Sequence, residues 1–193
     1  NNGCGVRQHS NAPPVDDPYA VLASNIPNNL ATKCGNSYPQ ESKSHGNWIG
    51  GNVWSTGTKS LTGTADLAGN TLICGDLRLT GDVTIDAPDG AVLYIQNGRL
   101  DLQGHTFKTA SGSELAIVFT GDDGYNHIVA DKSGSGTGVL DIKAPLSGPF
   151  SGVAIYQNPS LNNVVNIDYA GNDPKWKITG LVYLPHASVT ISG

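Results

Sequence analysis

Dense apolar segments recur along the last two-thirds of this chain, and their spacing constrains the fold more than any other feature of the sequence. The five segments begin at Thr71, Ala91, Leu115, Gly152 and Gly180, so successive starts are 20, 24, 37 and 28 residues apart. Between them lie shorter stretches in which apolar and polar residues alternate, the pattern of strands with one buried face. A period of about 20 to 30 residues with about three short strands is typical of a solenoid. The sequence therefore predicts an all-β, right-handed parallel β-helix with a short N-terminal capping helix.

An antiparallel sandwich or jelly roll is the alternative fold, because it also contains many short strands separated by frequent turns. The dipeptides that close tight hairpins are scarce in residues 58–193, occurring at Asp89-Gly90, Asn97-Gly98 and Asp123-Gly124. This scarcity favours the solenoid. The longest interval, which follows Leu115, predicts an inserted loop in residues 121–126 or 133–136.

The composition favours a single all-β domain and argues against two classes of partner. The chain has 193 residues, of which 25 are glycine and none is methionine, as expected for a protein rich in turns. Its net charge of −5 has the wrong sign for nonspecific binding to nucleic acid or to an anionic membrane. No apolar run approaches the roughly 20 residues that cross a bilayer. We therefore expect a membrane connection only through an export or anchoring segment upstream of Asn1.

The chain is predicted to form one folded unit from two unlike parts. Residues 1–57 carry five prolines and few alternating apolar residues, so we expect a loop-rich capping segment there and the β-solenoid in residues 58–193. Residues 16–23 predict a short helix that Asp17 caps, with Leu22 and Ile26 on one face. We expect this helix to cover one open end of the core. Residues 189–193 show no evident cap, so that end is expected to dock against a partner or another copy, or to be followed by further chain.

The three cysteines, Cys4, Cys34 and Cys74, are too widely spaced for a zinc site, which needs close pairs. Disulfide formation in an oxidising compartment is the better interpretation. The odd number leaves one cysteine over, and a segment upstream would supply its partner.

Local motifs of catalysis are missing from the sequence, and we predict neither a cofactor nor catalytic residues. The chain contains no G-x-S-x-G, no H-E-x-x-H and no glycine-rich phosphate loop. A polysaccharide-cleaving solenoid remains the enzymatic alternative, because paired carboxylates on neighbouring coils could perform that chemistry. The acidic residues that could stack in this way are Asp76, Asp82, Asp86, Asp101, Asp122, Asp123 and Asp141.

No metal site is predicted from the acidic residues or the histidines. Asp122 and Asp123 are interpreted as a polar turn, because calcium needs six or more oxygen ligands, and Asp82 and Asp86 are interpreted as solvated turn residues. No two histidines have the spacing of a metal site, and all five are interpreted as surface or turn residues: His9, His45, His105, His127 and His186.

Aromatic residues supply the candidate binding site. Trp48 and Trp54 lie in a segment rich in Gly and Asn, where exposed indoles would stack on sugar rings or on a partner; packing in the core or in a cap is the alternative. Trp176, between two lysines, is expected to point inward. The pairs Thr56-Gly57-Thr58 and Thr62-Gly63-Thr64 raise a third hypothesis, ice binding, but such a face needs the motif on successive coils.

Several strings resemble the C-terminal region of bacterial TadE/TadG-like pilus-assembly proteins. The resemblance is carried by GPFSGVAIYQN at 148–158 and ITGLVYLPHASVTISG at 178–193, in the same order and at similar spacing as in that family. Shorter matches are DPYA at 17–20, LICGD at 72–76 and NGCGV at 2–6. The sequence departs from the family at 69–73, where GNTLI replaces its usual P-G-T-Y, and in a long polar stretch at 33–59.

The resemblance implies a non-enzymatic, extracellular or envelope component of a Tad-type (Flp) pilus or adhesion system. It implies pilus or envelope proteins as partners, with surface polysaccharide as a further possibility, and an N-terminal membrane helix upstream. It also implies a disulfide between Cys34 and Cys74, with Cys4 joined to something upstream. A carbohydrate-active or carbohydrate-binding β-helix protein is the alternative function.

Overall fold

The computed structural model of the protein describes residues 15–34, 47–50, 63–122, 127–129, 138–161, 165–170 and 176–192. A 3-10 helix at Ala20–Asn25 and helix α1 at Leu30–Cys34 open this part of the chain. Strand β1 (Asn47–Gly50) follows, and the later elements of the described chain are all strands.

The strands after β1 come in groups of three, and each group forms one coil. The coils are β2 (Gly63–Asp66), β3 (Gly69–Cys74) and β4 (Leu77–Arg78); β5 (Val83–Asp86), β6 (Ala91–Gln96) and β7 (Leu100–Asp101); β8 (Thr106–Thr109), β9 (Leu115–Thr120) and β10 (Ile128–Val129); β11 (Val139–Lys143), β12 (Val153–Gln157) and β13 (Val165–Ala170); β14 (Trp176–Thr179), β15 (Leu181–Tyr183) and β16 (Ala187–Ser192).

Strands at the same position in successive coils pair in parallel, apart from β10 and β13, which lie in different sheets. Sheet A has the order β1-β3-β6-β9-β12-β15, sheet B the order β14-β11-β8-β5-β2, and sheet C the order β10-β7-β4, while β13 pairs with β16. β1, which precedes the first coil, runs antiparallel to β3. Parallel strands three elements apart exclude the antiparallel sandwich, and the predicted β-solenoid is confirmed.

The solenoid interior is filled by matching apolar residues from successive coils. In sheet B the register aligns Val83, Phe107, Leu140 and Trp176, and the first three of these side chains are buried. Trp176 is half-buried against the same cluster, so its predicted inward orientation is confirmed. Burying one such side chain contributes about 1.5 to 3 kcal/mol, which is why the register repeats faithfully from coil to coil.

The corners after β3, β6 and β9 of sheet A need an unusual backbone conformation. Gly75, Asn97 and Gly121 follow β3, β6 and β9 with φ values of 92°, 53° and 113°, a region that glycine adopts freely and asparagine tolerates. The Asn97 side chain accepts a hydrogen bond from the Asp122 backbone at 2.8 Å. Gly98 lies directly against the Gly75 backbone, where a Cβ atom would have no room. The glycines at this corner therefore allow the coils to stack closely.

The interval of 37 residues between Leu115 and Gly152 was predicted to contain an inserted loop. Residues 123–126 and 130–137, which include most of the predicted loops, lie outside the described residues. Within the described chain, the corner between β11 and β12, residues 144–152, is longer than the equivalent corner between β5 and β6, residues 87–90. This longer corner places Phe150 on the outer face of sheet A, a role that its sequence surroundings did not indicate.

The N-terminal helix forms close to its predicted position, but it does not cover an end of the core. Asp17 accepts a hydrogen bond from the Tyr19 backbone at 2.9 Å, and Leu22 and Ile26 share the buried side, as predicted. They pack against the outer face of sheet A, which carries a second apolar cluster separate from the interior. The prediction of an end cap is wrong because the apolar side of the helix packs on the apolar outer face of sheet A, while β1 pairs with the edge of β3 at the first coil.

Thr71 offers a test of the interior packing. Its register with Leu93 places it on the interior side of sheet A, where it is fully buried and its hydroxyl has no hydrogen-bond partner among the described residues. We expect Thr71→Val to raise the free energy of unfolding by about 1 kcal/mol, because it removes an unsatisfied buried hydroxyl without changing the side chain's shape. Denaturant unfolding measures this change.

The matched control is Thr84→Val, on the outward, half-exposed side of β5. Its effect is expected to stay within about 0.5 kcal/mol. A loss of stability in Thr71→Val would show that the hydroxyl makes a bond that the interior requires.

Candidate functional surfaces

Two of the candidate acidic residues, Asp76 and Asp101, are buried beside sheet C and neutralised by arginines. Arg99 donates to Asp76 from its backbone nitrogen at 3.2 Å and from Nε at 3.0 Å. Arg78 Nε donates to Asp101 at 2.9 Å. Because the two coils are in register, each arginine reaches the carboxylate of the neighbouring coil. The two pairs therefore hold adjacent coils together.

The remaining described carboxylates also make structural contacts. Asp82 accepts a hydrogen bond from the Thr106 backbone at 2.8 Å, and Asp86 accepts one from the Ser113 hydroxyl at 3.0 Å. Asp141 lies in register between Lys108 and Lys177 on the outer face of sheet B.

The predicted turn at Asp122 and Asp123 is described only at Asp122, which is exposed; Asp123 lies outside the described residues. Asp76 is paired with Arg99 and Asp101 with Arg78, so each of these two stacked carboxylates of the enzymatic alternative is adjacent to a cation.

His127 corrects the interpretation of the histidines as surface or turn residues. It is buried, and its ring stacks on Phe119 with centroids 4.3 Å apart. The Gln157 side chain accepts a hydrogen bond from the His186 backbone at 2.8 Å through Oε1, which turns its amide nitrogen toward His127 Nε2 at 2.9 Å. His127 Nε2 is then the acceptor, and the ring proton is on Nδ1. The aromatic neighbour and the buried amide explain the burial, and neither is near it in sequence.

The candidate binding tryptophans are not brought to a described site. Trp48 belongs to β1, whose backbone pairs it with Ile73, while its side chain and the whole of Trp54 lie outside the described residues. Their role in binding stays a prediction.

The N-terminal segment crosses the whole solenoid as a strap, which we define as residues 15–34. At the last coil, Tyr183 donates its hydroxyl hydrogen to Asp17 Oδ2 at 2.7 Å. One coil earlier, Tyr156 donates to the Tyr19 carbonyl at 3.0 Å. Four strand spacings, about 19 Å in all, separate the Tyr183 contact on β15 from the strap's other end at β3 in the first coil.

The strap covers an apolar row on the outer face of sheet A, which we call the flank ladder. Its members are in register from the first coil to the last: Leu72, Tyr94, Val118, Tyr156 and Tyr183. Within this row, the rings of Tyr156 and Tyr183 pack closely. Their centroids are 4.9 Å apart and their planes are nearly parallel. Phe150 extends this row from the long corner, with its ring 5.4 Å from that of Tyr156. The flank ladder is thus a second core, and the strap is its outer layer.

Asp17 of the strap and the tyrosines that the strap covers have shifted pKa values. The hydrogen bond from Tyr183, followed by those from the backbone, holds the pKa of Asp17 below its ordinary value of 3.8. Burial, followed by the bond to Asp17, raises the pKa of Tyr183. Burial also raises the pKa of Tyr156 to about 12 and that of Tyr94 to about 12. The hydroxyls of Tyr183 and Tyr156 donate hydrogen bonds to the strap, whereas that of Tyr94 has no hydrogen-bond partner among the described residues.

A disulfide between Cys34 and Cys74 attaches the strap to β3, with Cα atoms 5.5 Å apart. The pairing implied by the family resemblance is confirmed. A closed loop of this length stabilises by about 4 kcal/mol on the chain-entropy model. Cys4 lies outside the described residues.

The last coil carries exposed and partly buried apolar side chains. Trp176, Ile178 and Leu184 are only partly buried against the interior cluster, and Val182 and Val189 are 41% and 51% exposed. In the described chain, β14 and β15 are also the final strands of sheets B and A. Of the residues predicted to lack a cap, 189–193, only Val189 has a described side chain, so docking at that end stays a prediction.

The described part of the chain contains neither of two further classes of site. No helix there combines the length and the apolarity needed to cross a bilayer. No group of three or more His, Cys, Asp or Glu side chains among those residues is arranged to hold a metal ion.

Arg99→Met tests whether the arginine pairs are structural. It keeps much of the side chain's apolar volume and leaves the buried Asp76 carboxylate without its guanidinium. We expect the free energy of unfolding to fall by about 1 to 3 kcal/mol, as measured by denaturant unfolding. Lys108→Met, on the exposed face of sheet B, is the control and should change stability by less than about 0.5 kcal/mol. Equal effects of the two substitutions would contradict a structural role for this pair.

Asp17→Asn tests the strap's contact with the last coil through its pH dependence. Because the folded-state pKa of Asp17 is lowered, its stabilising contribution is present above the unfolded value and is lost as pH falls through the folded value. We expect the wild type to melt a few degrees above the variant at pH 6, and the difference to vanish near pH 2. Thermal unfolding across this range measures it.

Asp16→Asn is the matched control, since it removes the same charge from the adjacent residue. Its difference from the wild type should be smaller at pH 6. Equal differences for the two variants would mean that overall charge, and not the bond to Tyr183, produces the effect.

Comparison with known proteins supplies no relative from which a function could be inferred. No protein-family model, no curated protein and no solved structure matches it.

Proposed function

We propose that this protein is a non-enzymatic structural and binding component of the bacterial envelope, acting outside the cytoplasm in a Tad-type pilus or adhesion system. The observation that carries the proposal is that the strings on which the resemblance to TadE/TadG-like proteins rests, although far apart in sequence, contact one another. Asp17 of DPYA bonds to Tyr183 of GLVYLP, 166 residues away. Tyr156 of AIYQ bonds to Tyr19 of DPYA.

The other described strings of the resemblance also take part in these contacts. Gln157, which ends AIYQ, accepts a hydrogen bond from the His186 backbone, and Cys74 of LICGD is bonded to the strap through Cys34. Phe150 of GPFSG packs in the flank ladder's cluster. Chance similarity would scatter such strings over unrelated surfaces. Their assembly into one connected structure supports the view that the resemblance reflects a shared fold.

The disulfide and the carboxylates also support this proposal. A disulfide that attaches the strap favours an oxidising location such as the periplasm or the cell surface. The buried carboxylates Asp76 and Asp101 bind arginines, which gives them a structural role in place of the acid and base roles of a polysaccharide-cleaving enzyme. Partners in this proposal are pilus or envelope proteins.

Immunogold electron microscopy of native cells, with an antibody to this domain, tests the proposal together with a blot of the culture medium. We expect label on pili or at their bases in the envelope. Label found only in the medium, with no association with pili, would overturn the pilus assignment. Depolymerisation of a surface polysaccharide by the purified protein would support the enzymatic alternative instead.

Photo-crosslinking in the same cells identifies the partner and the surface that it contacts. A photoreactive residue at Val189, exposed on the last coil, is compared with one at Thr84 on the outer face of sheet B. Crosslinks to pilus or envelope proteins are expected, and the two positions show which surface they contact. Recovery of no envelope protein from either position would count against a binding role in the pilus system.

A further inference from the structure

We propose that the Cys34–Cys74 disulfide is a redox-controlled tether: when it is closed, the strap covers the flank ladder, and when a dithiol reduces it, the strap leaves and uncovers this aromatic row. The inference goes beyond the proposed function and does not depend on the pilus assignment. It rests on the uneven way in which the strap is held.

The strap itself is only lightly buried. Leu30 is the one side chain fully buried among its described residues, and Leu22, Ile26 and Cys34 are partly buried. Ordering a segment of this length costs conformational entropy at every residue, and few buried side chains offset that cost. The covalent link therefore has a large share in keeping the strap in place.

The hydrogen bonds of the strap lie toward its other end. Asp17 is exposed, and Tyr19 is 41% exposed, while the bonds that they accept from Tyr183 and Tyr156 are part-buried. Between the ends, Asn25 donates to the Pro149 carbonyl at 2.7 Å on the surface. Each such bond contributes only modest net stability, so they open together once the tether is lost.

The two sulfur atoms differ in accessibility, which defines the chemistry of opening. Cys34 is partly exposed, whereas Cys74 is buried. A thiolate of the dithiol attacks Cys34 Sγ, the Cys34–Cys74 bond breaks, and Cys74 leaves as a thiolate that takes up a proton. The second thiol of the reductant then displaces Cys34, so that both cysteines are reduced and the dithiol becomes a disulfide.

The solenoid does not depend on the strap for its interior. Sheet A has its interior cluster, with Leu93 and Ile117, on one face and the flank ladder, with Tyr94 and Val118, on the other. Release of the strap removes cover from the outer face only. The coils remain joined by their parallel ladders, and the uncovered row of tyrosines and aliphatic residues becomes an apolar surface.

Hydrogen–deuterium exchange on the full chain, oxidised and after treatment with dithiothreitol, tests the tether. Both samples carry Cys4→Ser, so that no third thiol exchanges. Reduction is expected to speed exchange in residues 20–34 at least tenfold while β6 and β9 keep their protection. Binding of the fluorescent apolar dye ANS should rise in parallel. Cys34→Ser should show the same pattern without reductant.

Three results would overturn the proposal. Unchanged protection of the strap after reduction would mean that its noncovalent contacts suffice. Loss of protection in β6 and β9 together with the strap would mean that the disulfide stabilises the whole fold and controls no separate segment. A disulfide that resists dithiothreitol in the folded protein would not be a redox-controlled tether.

Discussion

The parallel hydrogen-bonded ladder of sheet A is the constraint on which the rest of this structure depends. The strands β3, β6, β9, β12 and β15 pair in register. Aligned residues of successive coils therefore lie on the same face of the sheet. A shift of one residue would exchange the two faces. Here both faces are apolar, one toward the interior and one toward the strap, so the register determines two cores at once.

This two-sided burial explains a difference between strands that is visible in the sequence. Sheet A strands are dense in apolar residues because both of their faces are covered, as in parallel sheets enclosed on each side. The burial of β6 and β9 is continuous along all six residues, whereas β5 and β11 alternate. Strands of sheet B have one face toward solvent. The apolar pattern of a strand thus indicates whether one face or both faces of its sheet are covered.

Much of the fold could be predicted because the period and the alternation are local signals. The coils, the inward orientation of Trp176 and the short N-terminal helix all follow from spacing. The strap's place on the side of the solenoid was missed, although the signal was present: Tyr94 and Tyr156 fall between interior residues and would be exposed without a cover. A solenoid with a second apolar face needs an outer layer, and the N-terminal helix is the available element.

The burial of His127 and the role of the long corner could not be predicted in this way. His127 is buried because Phe119 stacks on its ring and Gln157, 30 residues later, bonds to it. The contact with Gln157 can be predicted only when the number of residues in the intervening coil is known. The same holds for Phe150, whose contact with the flank ladder depends on the length of residues 144–152. Irregular corners decide such positions, and no periodic pattern encodes them.

The two ends of the strap have partners at very different distances along the chain. Cys34 is bonded to β3 in the first coil, 40 residues away in sequence, and this contact involves only the first coil. Asp17 contacts Tyr183, 166 residues away, and this bond requires that the last coil is stacked on those before it. Contacts at such separation carry a large entropic cost of loop closure. The disulfide reduces that cost, since it holds the strap at the start of the flank ladder, beside the coils whose tyrosines the strap covers.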